Sequence, residues 1–307
     1  MFRIPYLFVL MAALLTSCAP GGEPVKRDGV LHITTTTAQV ADLVNNIGQE
    51  YVKVISLMGE GVDPHLFKAS QGDIAKLAGA DLIFYNGLML EGRMGDVLEK
   101  MAQMGRPTRP VSDGLDPSRL TTPKEFGGHH DPHIWMDVGM WAETIPIVVD
   151  ELSKQDSSHH DVFVQNGKAY QEKLMALHEE SRQKIATIPE TRRIMVTAHD
   201  AFGYFGRAYG IEVRGLQGIS TASEFGLQDL QRLVDLIVER RVKAVFVETS
   251  VPRRSIESLM AGCQAKGHEV KIGGLLYSDA MGASGTEEGT YLGMMRHNVD
   301  TIVAALR

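Results

Sequence analysis

The sequence predicts an α/β fold in which two lobes of parallel-sheet βα units are joined by one long linking helix. Strand and helix patterns alternate in residues 31–111 and alternate again in residues 193–306. Such alternation favours parallel sheets. Between the two halves, residues 157–188 carry apolar side chains at helical spacing. A helix of that length would extend about 45 Å, more than one small domain requires. We therefore expect it to join two lobes rather than to lie on the surface of one.

Composition excludes several classes of protein. The chain has 307 residues with 44% hydrophobic and 22% charged side chains, and its net charge is −7. These values are typical of a folded globular protein that is long enough for two domains. No basic cluster with interleaved aromatic residues is present in the sequence. We therefore do not expect a nucleic acid partner.

The N-terminal segment has the pattern of an export signal. Residues 2–17 carry Arg3 as their only charge, and their apolar run is too short to span a bilayer. It ends in Leu15-Thr16-Ser17-Cys18, which resembles a bacterial lipobox whose cysteine is acylated. We expect a signal peptide at 1–18, lipidation of Cys18 and a tether at 19–30. The alternative is an uncleaved anchor.

The first lobe is expected at 31–156. Short β-rich segments predict strands at 31–35, 51–57, 81–85 and 108–111. Helices are predicted at 38–47, at 70–77 with Ser70 as the N-cap, and at 93–104. A further helix at 137–152 contains Pro146, which lacks an amide proton and is expected to kink it.

The linking helix is expected at 157–188. Ser157 or Ser158 can cap its start, and Pro189 is expected to end it. Gly167 is expected to weaken it by about 1 kcal/mol relative to alanine. One face carries the residues Phe163, Tyr170, Leu174, Leu177, Ile185 and Ile188.

The second lobe is expected at 189–307. Strands are predicted at 193–197, 211–214, 244–247 and 269–272, and helices at 201–209, 226–241, 255–266 and 290–306. Cys263 is the only cysteine apart from Cys18, so no internal disulfide is expected. We expect Cys263 to be buried in its helix and inert.

Four residues share a context that favours metal binding. His65, His133, His199 and Asp279 each lie on a loop just after a predicted strand or before a helix, two from each half. Ligands of parallel α/β sheets bind beyond the carboxyl ends of the strands. Imidazole nitrogen and carboxylate oxygen are ligands for zinc, manganese and iron. Their spacing forms no local signature, and a histidine taken singly is more often a capped or exposed residue than a ligand.

The sequence around these four residues resembles the metal-site motifs of the cluster A-I solute-binding proteins. These are zinc- and manganese-binding lipoproteins of the TroA type that supply ABC transporters. The likeness extends from about residue 31 to the C-terminus. The matching motifs are DPH at 63–65, DPHIW at 131–135, TAHDAF at 197–202, QGISTASE at 217–224, SDA at 278–280 and GTEEGTY at 285–291.

The resemblance implies a two-lobed fold with a linking helix, and it implies that His65, His133, His199 and Asp279 are the metal ligands. It further implies a monomeric receptor, not an enzyme, that captures zinc or manganese, with iron also compatible, and delivers the ion to an ABC permease. Such a protein is exported and held on the membrane by its lipid, facing the periplasm or the cell exterior. Three neutral ligands and one anion suit zinc and do not exclude manganese.

Two observations qualify the choice of metal and its pH dependence. Zinc receptors of this family often carry a long histidine-rich loop before the second ligand, whereas this chain has only His129 and His130 there. That difference weakens a zinc-only assignment. Because ligand histidines must be neutral, metal affinity is expected to fall as the pH drops through about 6.5.

Other functions and roles remain open from the sequence. Glu248 ends a predicted strand and can orient a ligand histidine, or it can act as the base of a zinc hydrolase. A receptor for a chelated metal, such as a siderophore or cobalamin, would also use a linking helix, and an adhesin is a third alternative. Six other histidines are expected to be structural: His32, His159, His160, His178, His268 and His297.

Overall fold

The computed structural model of the protein describes residues 29–307. The predicted signal peptide, Cys18 and the tether up to residue 28 lie outside the described residues. Within residues 29–307, no helix combines the length and the apolar character that crossing a membrane requires.

The first lobe is built on a parallel four-stranded sheet. Its elements are β1 (Leu31–Thr35), α1 (Ala38–Gly48), β2 (Val52–Ser56), α2 (Gln71–Gly79), β3 (Leu82–Tyr85), α3 (Gly95–Gln103) and β4 (Thr108–Pro110). The strand order is β2-β1-β3-β4, and Ile33 pairs with Val54 on one side and with Leu82 on the other. Because all four strands are parallel, their carboxyl ends share one edge of the sheet. Ser70 caps α2 as predicted, in a capping box with Asp73.

The helix predicted at 137–152 is two helices, so the prediction of one kinked helix is wrong. α4 spans Val138–Ala142, and α5 spans Ile145–Gln155. Pro146 lies in the first turn of α5, where its missing amide removes no helical hydrogen bond. The proline therefore starts a new helix instead of bending an existing one.

The linking helix α6 spans His160–Ala186, after a 3-10 turn at Ser157–His159. The expected serine cap is wrong, since the residue before the helix is His159, whose side chain makes no capping bond. The Ser158 hydroxyl instead donates to Asp156 over 2.6 Å. The predicted apolar face is buried along its whole length.

Gly167 has a packing role that the sequence did not reveal. A β-carbon at this position would lie 2.9 Å from Val149 Cγ2 and 3.0 Å from Ile145 Cγ2, both on α5. Only glycine lets α5 approach α6 this closely. The position is therefore a contact point between helices, and treating it only as a weak point of α6 is incomplete.

The second lobe repeats the βα alternation. Its elements are β5 (Ile194–His199), α7 (Gly203–Tyr209), β6 (Glu212–Gln217), α8 (Leu227–Arg240), β7 (Ala244–Glu248), α9 (Arg254–Ala265), β8 (Lys271–Leu276) and α10 (Tyr291–Leu306). The strands form the parallel pairs β5-β6 and β7-β8, and β5 lies beside β7. Cys263 is buried in α9, and burial raises the pKa of its thiol. The predicted α/β fold with parallel sheets is confirmed.

One hydrophobic core continues through both lobes. Helices α1, α5 and α10 pack against the buried face of α6. The core includes Val40 from α1, Leu174 from α6 and Val299 from α10, together with Phe246 from the second-lobe sheet. Two smaller clusters lie on the outer sides of the lobes. The linking helix is thus part of the core of the molecule.

Candidate metal centre

The four predicted ligand residues converge between the lobes. His65 lies on the loop after β2, and His133 lies just before the 3-10 turn Ile134–Met136 that precedes α4. His199 is the last residue of β5, and Asp279 follows β8. One nitrogen or oxygen atom from each residue lies within 4.8 Å of the others. The parallel sheets bring these loops together because the carboxyl ends of the strands in each lobe face the cleft.

The distances fit a small four-coordinate ion. Asp279 Oδ1 lies 3.3 Å from His133 Nε2, and Asp279 Oδ2 lies 3.1 Å from His199 Nε2. His65 Nε2 lies 3.3 Å from His133 Nε2 and 3.9 Å from Asp279 Oδ2. Ligand atoms about 2.0–2.1 Å from a tetrahedral metal lie about 3.3–3.4 Å from one another. The nitrogen and oxygen atoms are therefore close to the positions that such an ion requires.

Burial leaves the Asp279 carboxylate without a hydrogen-bond donor. All four side chains are at most 2% exposed. In the part of the chain that the structure describes, neither oxygen of Asp279 accepts a hydrogen bond with acceptable geometry. Its closest positive groups within residues 29–307 are the imidazoles of His133 and His199, at 3.3 Å and 3.1 Å, and only when these are protonated. A buried carboxylate without a compensating charge is strongly unfavourable. A cation bound among the three histidines would supply that charge when the imidazoles are neutral.

Two further carboxylates lie beside candidate ligand histidines. His133 Nδ1 lies 2.7 Å from Asp131 Oδ1, which also accepts from the His133 amide over 3.0 Å. His199 Nδ1 lies 2.6 Å from Glu248 Oε2. The Asp131 contact is a hydrogen bond, whereas Glu248 lies close to His199 Nδ1 as a charged group without hydrogen-bond geometry. A carboxylate beside Nδ1 favours the tautomer whose Nε2 lone pair is free to face a metal. Glu248 thus lies beside the candidate ligand His199.

Asp131 is a site residue that the sequence reasoning did not single out. The signal was present, because the DPH triplet occurs at 63–65 and again at 131–133. In both copies the aspartate accepts the backbone amide of the histidine, at 2.9 Å for Asp63 and 3.0 Å for Asp131. The triplet is therefore a compact turn that orients a histidine, and it occurs at two of the candidate ligands.

Glu248 also joins the two strand pairs of the second lobe. Its Oε1 accepts from the amides of Ala198, over 2.7 Å, and His199, over 3.0 Å. The side chain therefore connects the end of β7 to the end of β5 and to the imidazole of His199 at once. Its contacts leave little freedom for a role as a general base.

Burial and charge shift the histidine pKa values in opposite directions. Burial lowers the pKa of His65 to about 3. Burial also acts to lower the pKa of His133, but the charges of Asp131 and Asp279 outweigh it and raise that pKa to about 9. At neutral pH and without a metal, His65 is therefore neutral and His133 is protonated.

His199 and Asp279 are charged together. Burial opposes the charge on His199, yet Glu248 and Asp279 raise the pKa of this imidazole well above its usual value. Burial likewise opposes the charge on Asp279, but His199 and His133 hold its pKa well below the usual range. Without a metal, the protons on His133 and His199 thus supply the positive charge that a divalent ion would supply.

The remaining histidines lie outside this cluster. His130 contacts the hydroxyl of Thr122 over 2.9 Å, and His129 packs edge-on against Phe126. Neither reaches the four-residue cluster within residues 29–307. The same holds for the six histidines that were expected to be structural.

Hydrogen bonds between the lobes position the loops that carry the candidate ligands. Trp135 Nε1 donates to the carbonyl of Ser278 over 3.0 Å, and Tyr291 donates to the carbonyl of Trp135 over 2.6 Å. Gln39 Nε2 donates to the carbonyl of Asp279 over 2.9 Å. The loop of His133 and the loop of Asp279 are therefore held as one unit.

Comparison with known proteins agrees with this geometry. The chain is 49% identical over 304 residues to the manganese-binding lipoprotein MntA of Bacillus subtilis, covering 97% of this chain and 99% of that protein. It is 46% identical over 300 residues to the zinc-binding protein TroA of Treponema pallidum, covering 97% and 96%.

A solved structure shows the same fold. The structure of the periplasmic zinc-binding protein TroA from Treponema pallidum matches with a TM-score of 0.88 at 47% identity, covering 91% of this chain and 99% of that one. The predicted resemblance to TroA-type receptors is thereby confirmed. Residues 33–305 match the family model ZnuA, described as zinc-uptake complex component A, periplasmic, and the chain belongs to this family.

Proposed function

We propose that the protein is an extracytoplasmic receptor that captures one divalent transition metal ion, zinc or manganese, and delivers it to an ABC permease. The observation that carries this proposal is the buried cluster of His65, His133, His199 and Asp279, whose ligand atoms lie within 4.8 Å of one another. These four residues are the proposed metal ligands. The names of the two relatives above, one manganese-binding and one zinc-binding, support either metal as cargo.

Metal capture exchanges protons for the ion. His65 is already neutral, because burial holds its pKa at about 3. His133 and His199 must each lose a proton before Nε2 can bind the metal. The departing protons remove positive charge, and the metal ion replaces it. The negative charge of Asp279 is therefore compensated before and after binding. Asp131 and Glu248 remain beside the two imidazoles and orient them for the ion.

The donor set restricts the cargo without selecting one metal. Three imidazole nitrogens and one carboxylate oxygen suit zinc, and they are also compatible with manganese or iron. A siderophore or cobalamin would not fit among ligand atoms that lie 3.1–3.9 Å apart. A zinc hydrolase would need an open coordination position and a free base. The burial of the cluster argues against an open coordination position, and the contacts of Glu248 argue against a free base.

The proposal extends to the placement of the protein in the cell. Lipidation of Cys18 would hold the receptor on the outer side of the membrane that contains the permease, and residues 19–30 would form the tether. We propose boundaries of 31–156 and 189–307 for the two lobes, with 157–188 as the linking segment, and a monomeric receptor.

The first test is the metal content of the soluble form that begins at Gly21, purified without added metal. We expect about one equivalent of metal per chain by mass spectrometry, and its loss in His133→Ala. His129→Ala is the matched control, since this exposed histidine lies on the same loop outside the cluster. Absence of metal in the unaltered protein, with no change in melting temperature on adding zinc or manganese, would contradict the proposal.

A further inference from the structure

The loop that carries His65 is attached to the second lobe differently from the other ligand loops. The His133 and Asp279 loops are joined across the lobes by Trp135, Tyr291 and Gln39, as described above. Within residues 29–307, the loop at 58–67 makes one hydrogen bond to the second lobe, from Thr221 Oγ1 to Asp63 Oδ2 over 2.5 Å. This loop therefore depends on a single hydrogen bond for its attachment to the second lobe.

Asp63 couples that bond directly to His65. Its other oxygen, Oδ1, accepts from the amide of His65 over 2.9 Å. The residue between them is Pro64, which is buried and whose ring restricts the backbone. A displacement of Asp63 must therefore move His65. The outer side of the loop is in contact with solvent at the exposed residues Gly59, Glu60 and Gly61.

Thr221 is coupled to a ligand in the second lobe. Its carbonyl accepts from Gln217 Nε2 over 2.7 Å, and the same amide group donates to the carbonyl of Ser223 over 2.8 Å. Gln217 ends β6 and pairs directly with His199 in the parallel ladder. Gln217, the strand partner of the proposed ligand His199, thus holds the loop that carries the Thr221 hydroxyl. Thr221 itself is only 8% exposed.

We propose that Asp63 and Thr221 are positioning residues that form a latch across the cleft and set the rate at which bound metal leaves. The inference rests on the proposed function of the four-residue cluster. Opening the latch would free His65, while His133, His199 and Asp279 stay in place. The ion would then be held by three ligands, and release would proceed from that state.

The variant Thr221→Val tests the latch, because it removes the hydroxyl and keeps the shape of the side chain. In the full chain, purified in detergent and loaded with one equivalent of zinc, we expect excess chelator to remove the metal about tenfold faster. The zinc stoichiometry and the melting temperature of the metal-free protein should not change. Thr221→Ser, which restores a hydroxyl, should release zinc within about twofold of the unaltered rate. Ser223→Ala is the matched control on the same loop.

A second variant keeps the test decisive if Thr221→Val does not fold. Asp63→Asn retains an oxygen for the His65 amide and removes the anionic acceptor of the Thr221 hydroxyl, so it should also accelerate release. The double variant should release zinc no faster than the faster single variant, because both changes act on the same contact. Equal release rates for the unaltered protein and both variants would overturn the latch alone. Failure of the unaltered protein to hold zinc would instead overturn the proposed function.

Discussion

At the scale of single residues, the protons of the metal centre decide how binding depends on pH. The sequence alone predicts that affinity falls below a pH of about 6.5, the usual pKa of histidine. The structure changes that expectation, because Asp131 and Asp279 raise the pKa of His133 to about 9. Competition between protons and metal therefore extends well above neutral pH. Only the contacts of the folded site show this, since Asp279 lies far from His133 in sequence.

We expect binding of one zinc ion near neutral pH to release about two protons, one each from His133 and His199. Calorimetric titrations in two buffers of different ionisation enthalpy would measure this number. The release should decline as the pH rises through about 9, the pKa of His133. His129→Ala provides a control, because this histidine contacts none of the four proposed ligands. Proton release near zero at pH 7 would show that the histidines are already neutral without the metal.

The same pKa values give His65 and His133 opposite effects on the stability of the metal-free protein. The pKa of His133 is raised on folding, so its contribution is complete below about 6.5 and is lost as the pH rises through about 9. The pKa of His65 is lowered to about 3, so its burial disfavours the folded state increasingly as the pH falls below 6.5. These two residues together favour a maximum near pH 6.5. The four candidate ligands were predictable from motifs, but these opposite shifts were not.

At the scale of elements, packing corrects what local pattern predicts. The strands and most helices follow from hydrophobic periodicity, and their ends differ from the predictions by a few residues. The sequence could not show that Pro146 starts α5, because a proline inside an apolar pattern is compatible with a kink or a new helix. It also could not show which helix faces Gly167. Helix propensity counts only the free-energy cost of a glycine in a helix. The packing role of Gly167 comes from the neighbouring helix α5.

The variant Gly167→Val should lower the free energy of unfolding by about 1–3 kcal/mol, since the new side chain would overlap Val149 and Ile145 of α5. Denaturant unfolding of the metal-free protein measures the change. Gly79→Val is the control, because a β-carbon at Gly79 in α2 meets no atom within 4 Å. That substitution should be neutral or slightly stabilising. If both variants were equally stable, α5 and α6 would not be in close contact at Gly167.

At the scale of the whole molecule, the core does not divide at the lobe boundary. The alternating βα pattern predicted two lobes and a linking helix, and that architecture is present. The sequence did not show that α6 would join α1, α5 and α10 in one continuous core. Which helix faces pack together depends on how the two lobes are placed, and local sequence patterns do not predict that placement. Because the core is shared, the lobes are expected to unfold together.

Calorimetry should therefore show a single unfolding transition with and without metal. Free zinc at about a thousand times its dissociation constant should add about 4 kcal/mol of stability and raise the melting temperature by roughly 7–10 °C. His133→Ala should keep the single transition and lose the shift. Two separate transitions in the metal-free protein would show that the lobes are independent.

The wide separation of the four proposed ligands along the chain has a consequence for biosynthesis. His65, His133, His199 and Asp279 each come from a different βα unit, and their side chains meet only when both lobes have formed. A nascent or extended polypeptide therefore offers no preassembled chelate. If the chain is translocated before it folds, it leaves the cytoplasm without cargo and takes its first ion from the compartment in which it folds. The metal supply of that compartment, rather than that of the cytoplasm, would then determine what the receptor carries first.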